Sequence, residues 1–132
     1  MGSITSPIAY VANQGLREPC RRAGTSITCA LWLALPHGLR AGGVTAVWSE
    51  TSFFGASFAR SPGKAAVFDG RRARITRYVD RTCKGLNATA AYVARIDNGR
   101  HGWWELYVCL RGPETRENIR RVERMLTSAT FG

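Results

Sequence analysis

Residues 92–110 read YVARIDNGRHGWWELYVCL, and two largely apolar runs flank Asn98-Gly99 in this stretch. An Asn-Gly pair readily adopts the positive φ angles that a two-residue hairpin turn requires. The stretch therefore predicts two antiparallel strands, 92–97 and 100–110, joined by a tight turn.

The second strand of this hairpin carries large apolar side chains on both faces. With a two-residue turn, Ala94 would lie opposite Trp103. Because side chains alternate along a strand, two sets form. One face holds Trp104, Leu106, Val108 and Leu110, and the other holds Trp103, Glu105, Tyr107 and Cys109. We expect such a strand either to lie inside the sheet or to use its second face for binding.

The rest of the chain adds strands before this hairpin. Pro7 restricts the first of them to a sheet edge. Asp69-Gly70 is a second hairpin signal and joins the last two. The predicted strands are 4–11, 27–35, 44–49, 65–68 and 73–83.

A helix is predicted over residues 113–128. Pro113 suits the first helical position, and an apolar stripe recurs at helical spacing through Ile119, Val122 and Leu126. We therefore predict a single α+β domain over residues 1–132. It would contain a mostly antiparallel sheet of five to seven strands and one C-terminal amphipathic helix.

Length and composition exclude several classes of protein. The 132 residues are 45% hydrophobic, which suits one folded domain and not a disordered tail. No apolar run approaches the roughly 20 residues of a transmembrane helix, so we predict no transmembrane segment. The chain contains no P-loop, dinucleotide fingerprint, G-x-S-x-G or H-E-x-x-H motif, so we expect neither a cofactor nor a metal ion.

The four cysteines predict two disulfides and an oxidising compartment. None of them forms a C-x-x-C pair, and an even number without metal-ligand spacing favours disulfides. Of the three connectivities, we favour Cys20–Cys29 with Cys83–Cys109. The predicted location is extracellular or periplasmic; four buried thiols in a cytosolic protein are the alternative.

The net charge of +10 comes from 17 Arg and two Lys against nine acidic residues. A GC-rich genome would favour Arg over Lys, but it does not account for the net charge. Arginines of the predicted helix alternate with Glu114, Glu117 and Glu123, and we interpret them as a solvated, partly paired face. The unbalanced charge lies in residues 71–84 and on the following hairpin.

These observations favour a secreted binding module with a basic and aromatic sheet surface. Arginine binds phosphate or carboxylate through two hydrogen bonds, and aromatic rings stack on bases or sugars. The expected partner is an anionic macromolecule or an acidic protein surface, and the sequence sets no oligomeric state. The predicted contact residues are Trp103, Tyr107, Arg77, Arg81, Arg95 and Arg111.

Two other functions remain open. A secreted ribonuclease-type toxin would use His37 and His101 as base and acid, with Lys64 stabilising the developing charge. A protease inhibitor would present a basic residue beside a disulfide, either Lys84 or Arg21. That local detail resembles the reactive loops of Kunitz-type inhibitors, although the chain lacks their six-cysteine framework.

Overall fold

The computed structural model describes residues 3–12, 20–29, 38–53, 58–99 and 102–131. Two helices, α1 (Arg81–Gly85) and α2 (Thr115–Ser128), and a short 3-10 turn (Phe58–Arg60) lie in these ranges. The strands of the same ranges are β1 (Ser3–Ala12), β2 (Cys20–Ala23), β3 (Ser26–Cys29), β4 (Val44–Phe53), β5 (Lys64–Phe68), β6 (Arg71–Thr76), β7 (Ala90–Asp97) and β8 (Gly102–Leu110).

One antiparallel sheet dominates the fold. Five strands follow each other in the order β4-β8-β7-β6-β5, and β1 pairs with β4 at the edge as a sixth. Strands β2 and β3 form a separate two-stranded ladder. The predicted α+β class, with an antiparallel sheet and a C-terminal helix, is confirmed. The edge position of the Pro7 strand is also confirmed, and its register shifts between Pro7 and Ala9.

Helix α2 covers one face of the sheet. Its buried residues Ile119, Val122 and Leu126 belong to the same apolar cluster as Leu106 and Val108 of β8. The predicted apolar stripe is therefore confirmed. The predicted first position is wrong: the helix starts at Thr115 because the preceding residue takes a left-handed φ of 72°.

The opposite face of the sheet holds a smaller cluster around a disulfide. Cys83 and Cys109 are fully buried and bonded, with their Cα atoms 5.3 Å apart, and Leu39 and Leu86 pack beside them. This disulfide was predicted and is confirmed. Within the β2–β3 ladder, Cys20 and Cys29 are direct backbone partners, but their side chains lie outside the described part of the structure, so the second bridge stays a prediction.

The predicted hairpin at Asp69-Gly70 is present between β5 and β6. Asp69 and Gly70 have φ angles of 51° and 71°, which are the positive values of a tight hairpin turn. The Asp69 carboxylate also accepts a hydrogen bond from the Phe131 amide at 2.7 Å. The turn thus fixes the segment that follows α2.

The predicted strand 73–83 is wrong after Thr76, where β6 ends. Asp80 caps the start of α1, since its Oδ1 accepts a hydrogen bond from the Cys83 amide at 3.0 Å. This turn directs Cys83 inward to Cys109. Arg81 consequently lies on a helix and does not share a strand face with Arg77.

The predicted register of the 92–110 hairpin is also wrong. Ala94 lies opposite Leu106, and Trp103 lies opposite Asp97. The connection is longer than two residues because β8 starts only at Gly102, and the Asp97 carboxylate accepts a hydrogen bond from the Gly99 amide at 3.0 Å. The division of β8 into its two predicted faces is nevertheless correct.

Two further predictions are compared with the described ranges: the strand at 27–35 and the absence of a transmembrane segment. The strand predicted at 27–35 is present as β3 up to Cys29, and residues 30–37 lie outside the described ranges. Neither helix within those ranges is sufficiently long and apolar to cross a membrane.

Candidate functional site

Trp103, a predicted contact residue, is enclosed by the protein itself. It lies on the sheet face opposite α2 and is only 6% exposed. The Arg95 guanidinium carbon lies 4.7 Å from the centre of its ring, and its Nε1 donates to Glu105 Oε2 at 3.3 Å. The ring therefore offers little surface for stacking a partner.

Arg95 and Tyr107 on the same face have internal partners. Arg95 and Glu105 are opposite each other in neighbouring strands, and Arg95 Nε donates to Glu105 Oε2 at 3.2 Å. The Tyr107 hydroxyl donates to Asp80 Oδ2. Burial, followed by the Asp80 carboxylate, raises the pKa of Tyr107 well above its ordinary value, so the hydroxyl remains a donor at neutral pH.

A groove of about 350 Å³ runs along this face, with Tyr78 74% exposed at its wall. Its carboxylates belong to Asp80 and Glu105, and both accept hydrogen bonds from groups of the protein. The groove therefore has defined walls, and both of its carboxylates are already hydrogen-bonded to the protein.

The predicted contact arginines do not gather on one surface. Arg111 donates to the Leu39 carbonyl at 2.7 Å, and Arg81 is exposed at the start of α1. Arg77 lies elsewhere, next to α2. The structure thus separates Arg77 from Trp103, Tyr107 and Arg95.

A cleft between Arg77 and α2 collects positive charge. Its volume is about 430 Å³, and we call it the basic cleft. Three guanidinium groups and one carboxylate line it, so its net charge is positive. The lining residues are Arg77, Thr115, Arg116, Ile119, Arg120 and Glu123.

The three arginines of the basic cleft are exposed and available. Among the residues that the structure describes, Arg77, Arg116 and Arg120 form no ion pair with a carboxylate. Arg116 and Arg120 are one helical turn apart, and like charges at this spacing destabilise a helix by about 0.2–0.5 kcal/mol. An anion bound between them would offset that repulsion.

Tyr92 is buried beside the basic cleft with an unused hydroxyl. The residue is 1% exposed, and the hydroxyl has no hydrogen-bond partner within the described part of the chain. Burial, with Glu123 acting in the same direction and Arg77 against it, raises the pKa of Tyr92 to about 12. Tyr92 therefore keeps its proton at neutral pH.

Sequence reasoning missed Arg116 and Arg120. It interpreted the arginines of α2 as a solvated, partly paired face, which is correct for Arg121 and Arg124, at 3.7 and 3.5 Å from Glu117. Helical spacing did not single these two out. Only Arg121 has a Glu four residues away, Glu117, and Arg124 pairs with the same Glu117 from seven residues away.

Residues of the other two predicted functions are distributed as follows. His37 and His101 lie outside the described ranges, whereas Lys64 is exposed at the start of β5. Lys84 is exposed within α1, and Arg21 lies in β2, where only the backbone is described. Both functions stay predictions. Within the described ranges, no group of three or more residues with metal-binding side chains occurs.

Comparison with known proteins gives no relative. No family model, no curated protein and no solved structure matches this chain. Its function is therefore inferred from the arrangement of its own residues.

Proposed function

We propose that this protein is a binding module for an anionic macromolecule, which it contacts through the basic cleft. The observation that carries the proposal is the meeting of three arginines, Arg77, Arg116 and Arg120, around one opening. A guanidinium group binds phosphate or carboxylate oxygens with two parallel hydrogen bonds. A cleft with several such groups fits a chain of anions better than a single charge.

The surroundings of the cleft support this proposal. The guanidinium carbon of Arg77 lies 5.8 Å from the centre of the Tyr92 ring, an attractive cation–π contact. The net charge of +10 would attract an anionic partner over a longer range. The buried Cys83–Cys109 disulfide is typical of proteins from oxidising compartments, so we propose an extracellular or periplasmic location.

The test compares two double variants that remove the same charge. The cleft variant is Arg116→Ala with Arg120→Ala. The control is Arg60→Ala with Arg124→Ala, two exposed arginines outside the cleft. The probe is a fluorescein-labelled single-stranded oligonucleotide of about 16 nucleotides. Its anisotropy is measured over a range of salt concentrations, and a labelled polyglutamate serves as a carboxylate probe.

We expect the native chain to bind the oligonucleotide in a salt-dependent manner. Removing two phosphate contacts should lower the salt slope by about 0.7 per contact and the affinity by about tenfold or more. Both double variants remove the same total charge and so lose the same non-specific attraction. The control keeps the contacts in the cleft, so its affinity should fall far less. Equal losses in the two double variants, or no binding of either probe by the native chain, would overturn the proposal. Preferential binding of polyglutamate would assign the cleft to an acidic protein surface.

A further inference from the structure

A second pocket lies between α2 and the strands β1 and β4. We call it the apolar pocket; its volume is about 230 Å³, and its described walls include Val44, Ala46, Val122 and Met125. An apolar cavity of about 150 Å³ holds a benzene molecule. The apolar pocket therefore has room for one ring with a short substituent.

One buried polar group faces this pocket. Asn118 lines it and is only 5% exposed, yet its Nδ2 has no hydrogen-bond partner among the residues that the structure describes. Leaving a buried donor unpaired costs stability. An apolar residue at this helix position would avoid that cost. The amide thus marks a point at which a ligand would gain a hydrogen bond.

A positively charged side chain also lines the apolar pocket. Arg121 supplies this side chain and follows Asn118 by three residues, so the two side chains are neighbours on the helix surface. Its side chain is 66% exposed, and its contact with Glu117 is long at 3.7 Å. The pocket therefore combines an apolar wall, a buried N–H donor and a nearby guanidinium.

We infer that the apolar pocket binds a small apolar carboxylate. The hydrocarbon part would lie against Val44, Val122 and Met125. One carboxylate oxygen would accept a hydrogen bond from Asn118 Nδ2, and the charge would face Arg121. This site is separate from the basic cleft, since the two flank the buried stripe of α2 from opposite sides.

The test uses phenylbutyrate as the probe and phenylbutanol as its uncharged counterpart. The isotope-labelled full chain is titrated with each, and amide signals are followed by heteronuclear NMR. We expect saturable shifts of the Asn118 side-chain amide and of the backbone amides of Val122 and Met125. Because the charged hydrogen bonds are lost, phenylbutanol should bind at least about tenfold more weakly.

Three variants separate the contribution of the Asn118 donor from that of the Arg121 charge. Asn118→Leu removes the donor and should raise the melting temperature while lowering phenylbutyrate affinity about tenfold. Arg121→Gln should reduce the preference for the carboxylate over the alcohol, since only the Asn118 hydrogen bond then remains. Arg124→Gln, on the same helix but outside the pocket, should leave binding unchanged.

Two results would overturn the inference. The first is the absence of shifts at the Asn118 side chain with millimolar phenylbutyrate. The second is a less stable Asn118→Leu variant with unchanged affinity, since the amide would then have a partner within the protein. Oligonucleotide binding at the basic cleft is measured independently, so failure of one site leaves the other unaffected.

Discussion

The guanidinium carbon of Arg77 lies 5.8 Å from the centre of the Tyr92 ring. This contact joins the exposed basic cleft to the buried core, because Tyr92 belongs to the same apolar cluster as Ile119 of α2. A cation above an aromatic ring is attracted by the negative face of that ring. Arg77 thus has an aromatic neighbour but, among the residues that the structure describes, no carboxylate partner.

Replacing Tyr92 by Phe should stabilise the protein. Tyr92→Phe keeps the ring and its contact with Arg77 but removes a buried hydroxyl that has no partner within the described residues. We expect a gain of about 1 kcal/mol and a melting temperature about 4 °C higher. Thermal denaturation followed by circular dichroism measures both. A loss of stability would instead show that the hydroxyl makes a hydrogen bond in the folded protein.

Stability should decline at alkaline pH in a way that depends on Tyr92. Its folded-state pKa is raised to about 12 from an ordinary value of 10.0. The contribution of protonated Tyr92 to stability is therefore complete below pH 10 and is lost as the pH rises toward 12. The reason is that this hydroxyl ionises at a lower pH in the unfolded chain than in the folded protein. Each tyrosine whose pKa is raised in this way lowers the free energy of unfolding by at most about 1.4 kcal/mol per pH unit. Urea unfolding at several pH values should show a smaller decline for Tyr92→Phe, and an identical decline would contradict the assignment.

Removal of the Cys83–Cys109 disulfide should cost about 3 kcal/mol. The bridge spans 26 residues, and closing a loop of that size restricts the unfolded chain. The double variant Cys83→Ala with Cys109→Ala is compared with the native chain by chemical denaturation. An unchanged midpoint would contradict the prediction.

The second predicted disulfide has a simple mass test. Reduction under denaturing conditions should increase the intact mass by about 4 Da if Cys20 and Cys29 are also bonded, since each bridge takes up two hydrogens. An increase of about 2 Da would leave Cys83–Cys109 as the single bridge.

Replacing Gly63 or Gly85 by alanine should change the stability of the protein in opposite directions. Gly63 has a φ of 113°, and a Cβ there would lie 2.5 Å from the Ile75 carbonyl oxygen, so Gly63→Ala should destabilise by at least about 2 kcal/mol. A Cβ on Gly85 in α1 would meet nothing within 4 Å, so Gly85→Ala should stabilise by about 0.5–1 kcal/mol. Melting temperatures of the two variants provide the measurement, and shifts in the same direction would contradict it.

Local patterns predicted much of the fold because they act over a few residues. The stripe through Ile119, Val122 and Leu126 specified which side of α2 faces the sheet. Asp69-Gly70 specified a hairpin turn, and the alternation along β8 specified its two faces. In each case the signal and the structure that it predicts lie within one element or one turn.

Errors arose where capping side chains or distant partners override the alternation of a strand. The chain leaves the strand after Thr76 because Asp80 caps a helix whose Cys83 bonds to Cys109 in β8. The hairpin register depends on Asp97, which holds both the Gly99 amide and the Arg72 guanidinium, at 3.0 and 2.8 Å. The Cys83–Cys109 bond and the Arg72–Asp97 pair join residues 26 and 25 positions apart, which strand alternation does not reveal. The Asp80 and Asp97 caps are local, but strand alternation does not include them.

The sequence by itself determined a basic α+β chain, the apolar face of α2 and the two faces of β8, because charge, helical periodicity and strand alternation are properties of consecutive residues. Only the tertiary structure decided which arginines lie near one another. It pairs Arg95 with Glu105 and brings Arg77 beside Arg116 and Arg120. The physical reason is that ion pairs and clefts depend on distances between side chains from separate elements, and packing of α2 against the sheet sets those distances.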